Sequence, residues 1–339
     1  MKHRVQIKDV ARAVGVSPAT ISRSFNNPEL VNALTLQRIK EAIRALGYLP
    51  DGTGRALSSR RNNTVGLIVP TLDHAIFSRF TQAMQTSLAE AGYQLLIASH
   101  EYNPVLELNS TRTLIERGVE AIVFVGVERS AALKKLLTQS NIPVLSTWNL
   151  DPAPGSTSVG FDNKAASAMA TQHLLDLGHR QFGVISGFQR YNDRARARVE
   201  GVRETLERAG IKLTSANIIE QLFSYASGRN GLDTLMKLRT PPTAIICGND
   251  LLAIGALIEC EARGIAVPTD LSIVGFDNHE LASHVFSGLT TVDVPTALLG
   301  QRSAEVVVGM LNKTGTTGSV ELPVELIVRG STGLVRQPV

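Results

Sequence analysis

The sequence predicts a chain of two classes joined end to end, a small all-α head of three short helices and a doubly wound α/β body. Three observations predict it. The chain of 339 residues is too long for a single comfortable core, and 43% apolar with 19% charged residues describes a chain that folds. Charge is unevenly divided: residues 1–61 hold eleven Lys or Arg against four acids, a net of +7, which leaves the remainder at −3. Finally, apolar residues recur at helical spacing near the start, and beyond residue 62 they gather into short runs separated by helical stretches.

In the head, Ile7, Val10, Ala11 and Val14 keep the i, i+3, i+4, i+7 spacing of a one-sided helix. Gly15 stops that helix through a positive φ, Ser17 caps the next with its hydroxyl, and Pro18 suits a first turn that needs no amide hydrogen. Two helices about so tight a turn make a helix-turn-helix. Asn26, Asn27 and Pro28 end the second helix. Thr35 is then expected to cap a third, with Leu36, Ile39, Ile43 and Leu46 as its apolar face before Gly47.

The second helix carries the chemistry. Pro18 and Ala19 are small enough to let the helix end approach base edges, and Arg23, a turn later, has the fork that pairs with guanine O6 and N7. Thr20, Ser22 and Asn26 are short donors suited to phosphate oxygens. By pattern alone an exposed polar helix of a protein-binding head would read similarly. The basic charge of this segment fits a phosphate-neutralising module, and equally a solvated tail.

The string IKDVARAVGVSPATISRSFN, followed by ALGYLP and GRAL, resembles the head of the LacI/GalR repressor family over the first sixty or so residues without a gap. The resemblance implies that Pro18, Ala19 and Arg23 enter the major groove of double-stranded DNA. It also implies that Ser17, Thr20, Ser22, Asn26 and Thr35 hold the backbone and that Tyr48 packs near the linker. Residues 51–62 resemble the family's hinge, in which Leu57, flanked by Arg55 and Ala56, is the wedge inserted at a central base step. Asp51, Gly52 and Gly54 depart from that pattern. Two glycines cost a short helix roughly 2 kcal/mol relative to alanine, so a loosely folding hinge is expected.

In the body, Val65 to Val69, Leu95 to Ala98, Ala121 to Val125, Phe182 to Ser186, Ala244 to Cys247 and Leu271 to Gly275 read as buried parallel strands. Glycines at 92, 118, 178, 210 and 264 close helices between them, as βαβ units require. The plan resembles a type I periplasmic-binding-protein fold of two subdomains, about 63–160 with 293–320 and 161–292 with 321–332, following a head at 1–50. A ligand would lie in the cleft between them, at the carboxyl ends of strands.

Residues at those strand ends are the binding candidates. Asn249 and Asp250 follow one apolar run and Asp277 another. The resemblance places Arg198, with Arg196 beside it, toward ligand hydroxyl or carboxylate groups, a task for a fixed guanidinium fork. It makes Phe223 an aromatic platform and sets Ile76, Phe77 and Asp162 in the other walls. Asp250 could equally cap a helix, Asp277 a turn, and Phe223 could be core. SHEYNP, VGFDN and SYASG resemble the gluconate-repressor-like branch, which implies a sugar or sugar acid as effector.

Other chemistry is thinly represented. The sequence has no phosphate loop, dinucleotide fingerprint or nucleophile elbow, so neither an enzyme nor a cofactor is expected. His279 and His284 are five apart and leave one helical face, which removes the zinc-protease reading and leaves no metal role. Cys247 and Cys260 lie in apolar stretches and read as buried thiols. No apolar run reaches the ~18 residues that span a bilayer, and the basic start lacks a signal-peptide core, so a cytoplasmic protein is expected. A transport solute-binding protein would share the body and lack the basic head. Two heads on a near-palindromic operator imply a homodimer, and without trailing leucine heptads no terminal coiled coil is expected.

Overall fold

The computed structural model describes residues 5–48, 62–315 and 318–336. The hinge expectations, including Arg55, Ala56 and Leu57, lie outside the described residues. The chain divides into two compact units at Asn63 and Thr64.

The first unit is built on α1 (Ile7–Val14), α2 (Pro18–Asn26) and α3 (Ala33–Leu46). Gly15 ends α1 in the left-handed region at φ 75°, and the Ser17 hydroxyl accepts from Thr20 N at the start of α2. These two residues set the turn of the helix-turn-helix. Val10, Ala11, Val14, Ile21, Ile39 and Tyr48 form one buried cluster, and Arg38 donates to Val14 O, tying α3 to the end of α1.

Two details of α3 differ from the sequence expectation. Asn32, not Thr35, is its cap, with Oδ1 accepting from Leu34 N at 3.0 Å. Asn caps at least as well as Thr, and Ala33 and Leu34 are good helix formers, so the helix starts three residues earlier. Leu46 is exposed instead of joining the apolar face, and the core is closed by Tyr48.

The second unit alternates strands and helices. Its first sheet takes β1 (Thr64–Val69), β2 (Gln94–Ser99), β3 (Ala121–Val125), β4 (Val144–Thr147) and β5 (Ser158–Gly160). Between these strands run α4 (Ala75–Glu90), α5 (Pro104–Glu116) and α6 (Ala131–Ser140). The chain then enters α7 (Asn163–Asp176) and the second sheet: β6 (Phe182–Gly187), β7 (Ile218–Gln221), β8 (Ala244–Cys247), β9 (Ser272–Asp277) and β10 (Thr290–Asp293). Here the intervening helices are α8 (Asp193–Arg208), α9 (Tyr225–Met236) and α10 (Asp250–Arg263). From β10 it returns to the first sheet with α11 (Thr296–Asn312) and β11 (Ser319–Glu321), then crosses again to β12 (Glu325–Ile327). The six apolar runs read from the sequence coincide with β1, β2, β3, β6, β8 and β9, although β2, read as buried, lies at the edge of its sheet and is only half-buried.

The sheet orders are β11-β5-β4-β3-β1-β2 and β12-β10-β9-β8-β6-β7. All pairings are parallel except β10 with β12. In each sheet the strand order reverses once, beside β1 in the first and beside β6 in the second. Ligands in open α/β sheets collect outside the carboxyl ends of strands at such a point. The loops leaving β1, β3, β6 and β8 are therefore the ones to inspect. Under them lies a core in which Phe80, Met84 and Leu88 of α4 pack with Leu299, Ala304 and Val307 of α11.

Ile21 is fully buried at the centre of the small head. Ile21→Ala should remove about 2–5 kcal/mol, comparable with the whole stability of so small a unit. Limited proteolysis of the full chain should then show a digested head and an intact body. Equal resistance of head and body would contradict this account of the core.

Candidate functional site

On the head, Ser17, Pro18, Ala19 and Arg23 are exposed, and Thr20 and Ser22 are half-buried. The Ser17 and Thr20 hydroxyls lie 2.9 Å apart, so the cap engages both, while Thr35 sits within the first turn of α3. Among the described residues no carboxylate pairs with Arg23. Its guanidinium is free to meet a ligand, and the small Pro18 and Ala19 leave the approach to the start of α2 open.

In the body, the loops at the strand ends enclose a narrow polar pocket. Its walls include Ile76, Phe77, Arg198, Phe223, Asn249 and Asp277, six of the nine sequence candidates. Asp162 and Arg196 do not line it. Asp162 is exposed and caps α7, its carboxylate accepting from Lys164 N and Ala165 N. Arg196 lies at the rim, where it pairs with Glu128 at 2.7 Å and donates to Gln189 O. Asn249 both lines the pocket and caps α10 by accepting from Leu252 N.

Arg198 is held on three sides. Its Nε donates to Asn163 Oδ1 at 2.9 Å, Nη1 donates to Gly248 O at 2.6 Å, and the guanidinium lies 3.5 Å over the Phe276 ring. Asp277 Oδ1 stands 3.8 Å from its Nη2, within ion-pair range but without a hydrogen-bond partner. Burial lowers the Arg198 pKa to about 10 against the attraction of Asp277. Burial likewise lifts Asp277 to about 7, although Arg198 and Arg194 pull it down. Asp250 lies behind Asp277 and accepts from Thr291 Oγ1 and His279 N, both at 2.6 Å. Burial, and then the charge of Asp277, raise it to about 8.

Sequence reasoning missed the groups that close the pocket. His74, Tyr102, Trp148, Asn192 and Arg194 complete its lining. Arg194 and Asp193 reach from the start of α8 into the first subdomain: Arg194 donates to Val125 O at 3.2 Å, and Asp193 accepts from Val127 N and Asn149 Nδ2 at 2.9 Å. They pair with each other at 2.9 Å. Burial acts to raise the Asp193 carboxyl, but Arg194, Asn149 and Val127 outweigh it and hold its pKa below the ordinary value. On the other side of the cleft, His74 meets the Phe223 ring edge-on at 5.8 Å. The two subdomains are thus clasped on both sides. The run DRARAR signals a basic helix start without telling which arginine turns inward.

Two glycines make these approaches possible. A Cβ on Gly126 would stand 2.1 Å from an Arg194 nitrogen, and one on Gly187 would stand 2.1 Å from the Phe223 ring. Trp148, Glu101, Tyr102, Tyr191 and Asp277 all have positive φ, a conformation costly for residues other than glycine and concentrated at functional sites.

Gly126→Ala should therefore open the clasp, since Gly126 also has φ +92° and a methyl there displaces the Arg194 side chain. Small-angle scattering should report a larger radius of gyration for this variant, and an unchanged curve would show that the clasp does not hold the cleft shut. Asp250, whose folded-state pKa lies above its ordinary 3.8, costs stability that is fully present above pH about 8. That cost is relieved as the pH falls through this value. The melting temperature of the body should rise between about pH 8.5 and 7, and Asp250→Asn should flatten the rise.

Comparison with known proteins agrees with this arrangement. Residues 6–51 match the model for bacterial regulatory proteins of the lacI family, and residues 171–332 match that for a periplasmic binding protein-like domain. The chain is 32% identical to the HTH-type transcriptional regulator DegA of Bacillus subtilis over 97% of its length and 98% of the relative's. It is 30% identical to catabolite control protein A of Priestia megaterium, covering 97% and 99% of the two chains. The crystal structure of the lac repressor dimer bound to operator and the anti-inducer ONPF superimposes with a TM-score of 0.88 at 25% identity, over 98% of this chain and 100% of that one. A helix-turn-helix head followed by a two-sheet body with a clasped pocket between that body's subdomains, matched along nearly its whole length, makes this chain a member of the LacI family of bacterial regulatory proteins.

Proposed function

We propose that the protein is a cytoplasmic, homodimeric transcriptional repressor whose grip on a near-palindromic operator is set by a small molecule in the body's cleft. The observation that carries this reading is the polar pocket at the strand ends of both sheets, built from Arg198, Asp277, Asn249 and the Asp193–Arg194 pair. A ligand touching both subdomains stabilises one clamshell state over the other, and only such differential binding shifts an equilibrium. Operator and effector then change each other's affinity by the same factor.

In this reading residues 1–50 are the DNA-binding head, 51–62 the hinge and 63–339 the effector-binding and dimerisation body. Pro18, Ala19 and Arg23 read bases; Ser17, Thr20, Ser22, Asn26 and Thr35 meet the backbone; Arg55, Ala56 and Leu57 act in the minor groove. The exposed, unpaired Arg23 supports the first group. Ile76, Phe77, Arg198, Phe223, Asn249 and Asp277 hold a sugar-like effector, with Asp162 and Arg196 at its periphery. The family's members are DNA-binding regulators and not enzymes, and no described helix is long and apolar enough to cross a membrane.

Selection from a random DNA library should enrich a two-fold symmetric site. Arg23→Ala should cost about 1–3 kcal/mol at one base pair per half-site and leave binding to unrelated DNA unchanged. A selection that enriches no symmetric site, or an Arg23→Ala protein that selects the same bases equally well, would overturn the proposal.

A further inference from the structure

Outside the polar pocket the cleft widens into a chamber of about 880 Å³. It shares His74, Tyr102, Asn192 and Phe223 with the inner pocket, which itself leaves only about 30 Å³, so the two spaces adjoin and the chamber is the one with room for a ring. A free hexose has about a dozen non-hydrogen atoms, and even at the roughly 30 Å³ that each water takes up in the liquid it would fill less than half of the chamber. The walls are aromatic and mostly unclaimed by the core: Phe188 is 50% exposed and Tyr191 41%. Single aromatic faces of this kind suit the C–H face of a pyranose as well as any flat ring.

Charge narrows the choice further. Each guanidinium of the inner pocket already has a carboxylate, Arg194 with Asp193 and Arg198 with Asp277. The chamber adds one exposed cation, Arg190, and one exposed anion, Glu101. Neither guanidinium of the inner pocket is unshared, and a ligand carboxylate beside Arg198 would meet Asp277. Among the described residues that line the inner pocket, the buried groups without hydrogen-bond partners are Trp148 Nε1, a donor, and Asp277 Oδ1, an acceptor. A hydroxyl can satisfy either, whereas a carboxylate can satisfy only the first. Against a planar base, the chamber's ring pairs are crossed instead of parallel: Tyr102 with Phe223 at 46° and His74 with Phe223 at 89°.

We infer that the effector is a neutral glycoside of at least two rings held in the outer chamber, one sugar reaching its hydroxyls toward the inner pocket and the next stacked on Phe188 and Tyr191. This rests on the effector-binding reading above and turns its sugar-or-sugar-acid choice toward the neutral class. Phe188 and Tyr191 are then the residues that set ligand length.

Calorimetric titration of the full-length protein tests this with cellobiose, maltose, lactose, melibiose, trehalose and maltotriose. Glucose, galactose, gluconate, glucuronate, cytidine and adenosine are titrated beside them. At least one neutral di- or trisaccharide should bind about tenfold tighter than its own monosaccharide and than either acid. The Phe188→Ala/Tyr191→Ala variant should lose about that factor for the longer sugar and keep the monosaccharide's affinity. Tighter binding of an acid, a nucleoside or a monosaccharide overturns the inference, as does failure of every neutral oligosaccharide to bind. Equal loss for long and short sugars in the variant does the same. Operator binding measured on the same preparations without sugar separates the two levels: if it is intact while these titrations fail, only the ligand class is wrong.

Discussion

The contact on which the rest of the body depends is the buried pair formed by Asp193 and Arg194 at the first turn of α8. Two opposite charges out of water are stable only when their remaining donors and acceptors are met. Here that requirement is met by the other subdomain, through Val125 O, Val127 N and the Asn149 amide. A single turn of helix in the second sheet's layer is thereby satisfied only when the first sheet's strand ends stand opposite. Arg198 lies one turn further along the same helix, so its approach to Asp277 and Gly248 is fixed by the same anchoring.

Much of the fold was legible in the sequence because burial on both faces leaves a continuous apolar signature. The runs that became β1, β3, β6, β8 and β9 are buried along nearly their whole length. Edge strands carry less of that signal: β11 is exposed throughout and β7 and β12 are only half-buried, and of the edge strands β2 alone stood out as an apolar run. The head was legible for a different reason, since Gly15, Ser17 and Pro18 act through local backbone chemistry that needs no tertiary partner. Thr35 shows the limit of that reasoning, because Asn32 offers an equally good cap and only the folded geometry chooses between them.

The site divided along the same line. Arg198, Asn249 and Asp277 could be found from residue type at strand ends, supported by family resemblance. Tyr102 and Trp148 could not, since they enter the pocket on backbone in the left-handed region that neither residue type announces. Arg194 and Arg196 are indistinguishable in DRARAR. Two residues apart on the helix and so facing nearly opposite sides, the first is buried across the cleft and the second is exposed at its rim. Gly126 and Gly187 were equally silent, because what they provide is empty space for a neighbour's side chain.

The chain passes between the two sheets three times, after β5, after β10 and after β11. The strands flanking these passages are neighbours, β5 beside β11 in one sheet and β10 beside β12 in the other, and Leu322 N donates to Gly160 O across two of the passages. Three tethers set side by side behave mechanically like the leaf of a door hinge. They bend readily about the line that joins them and resist twist and shear. The relative motion of the sheets is therefore reduced to nearly one degree of freedom. Work done by a molecule entering the mouth is then delivered along one coordinate, with little dissipated in motions that the far end of the body could not sense.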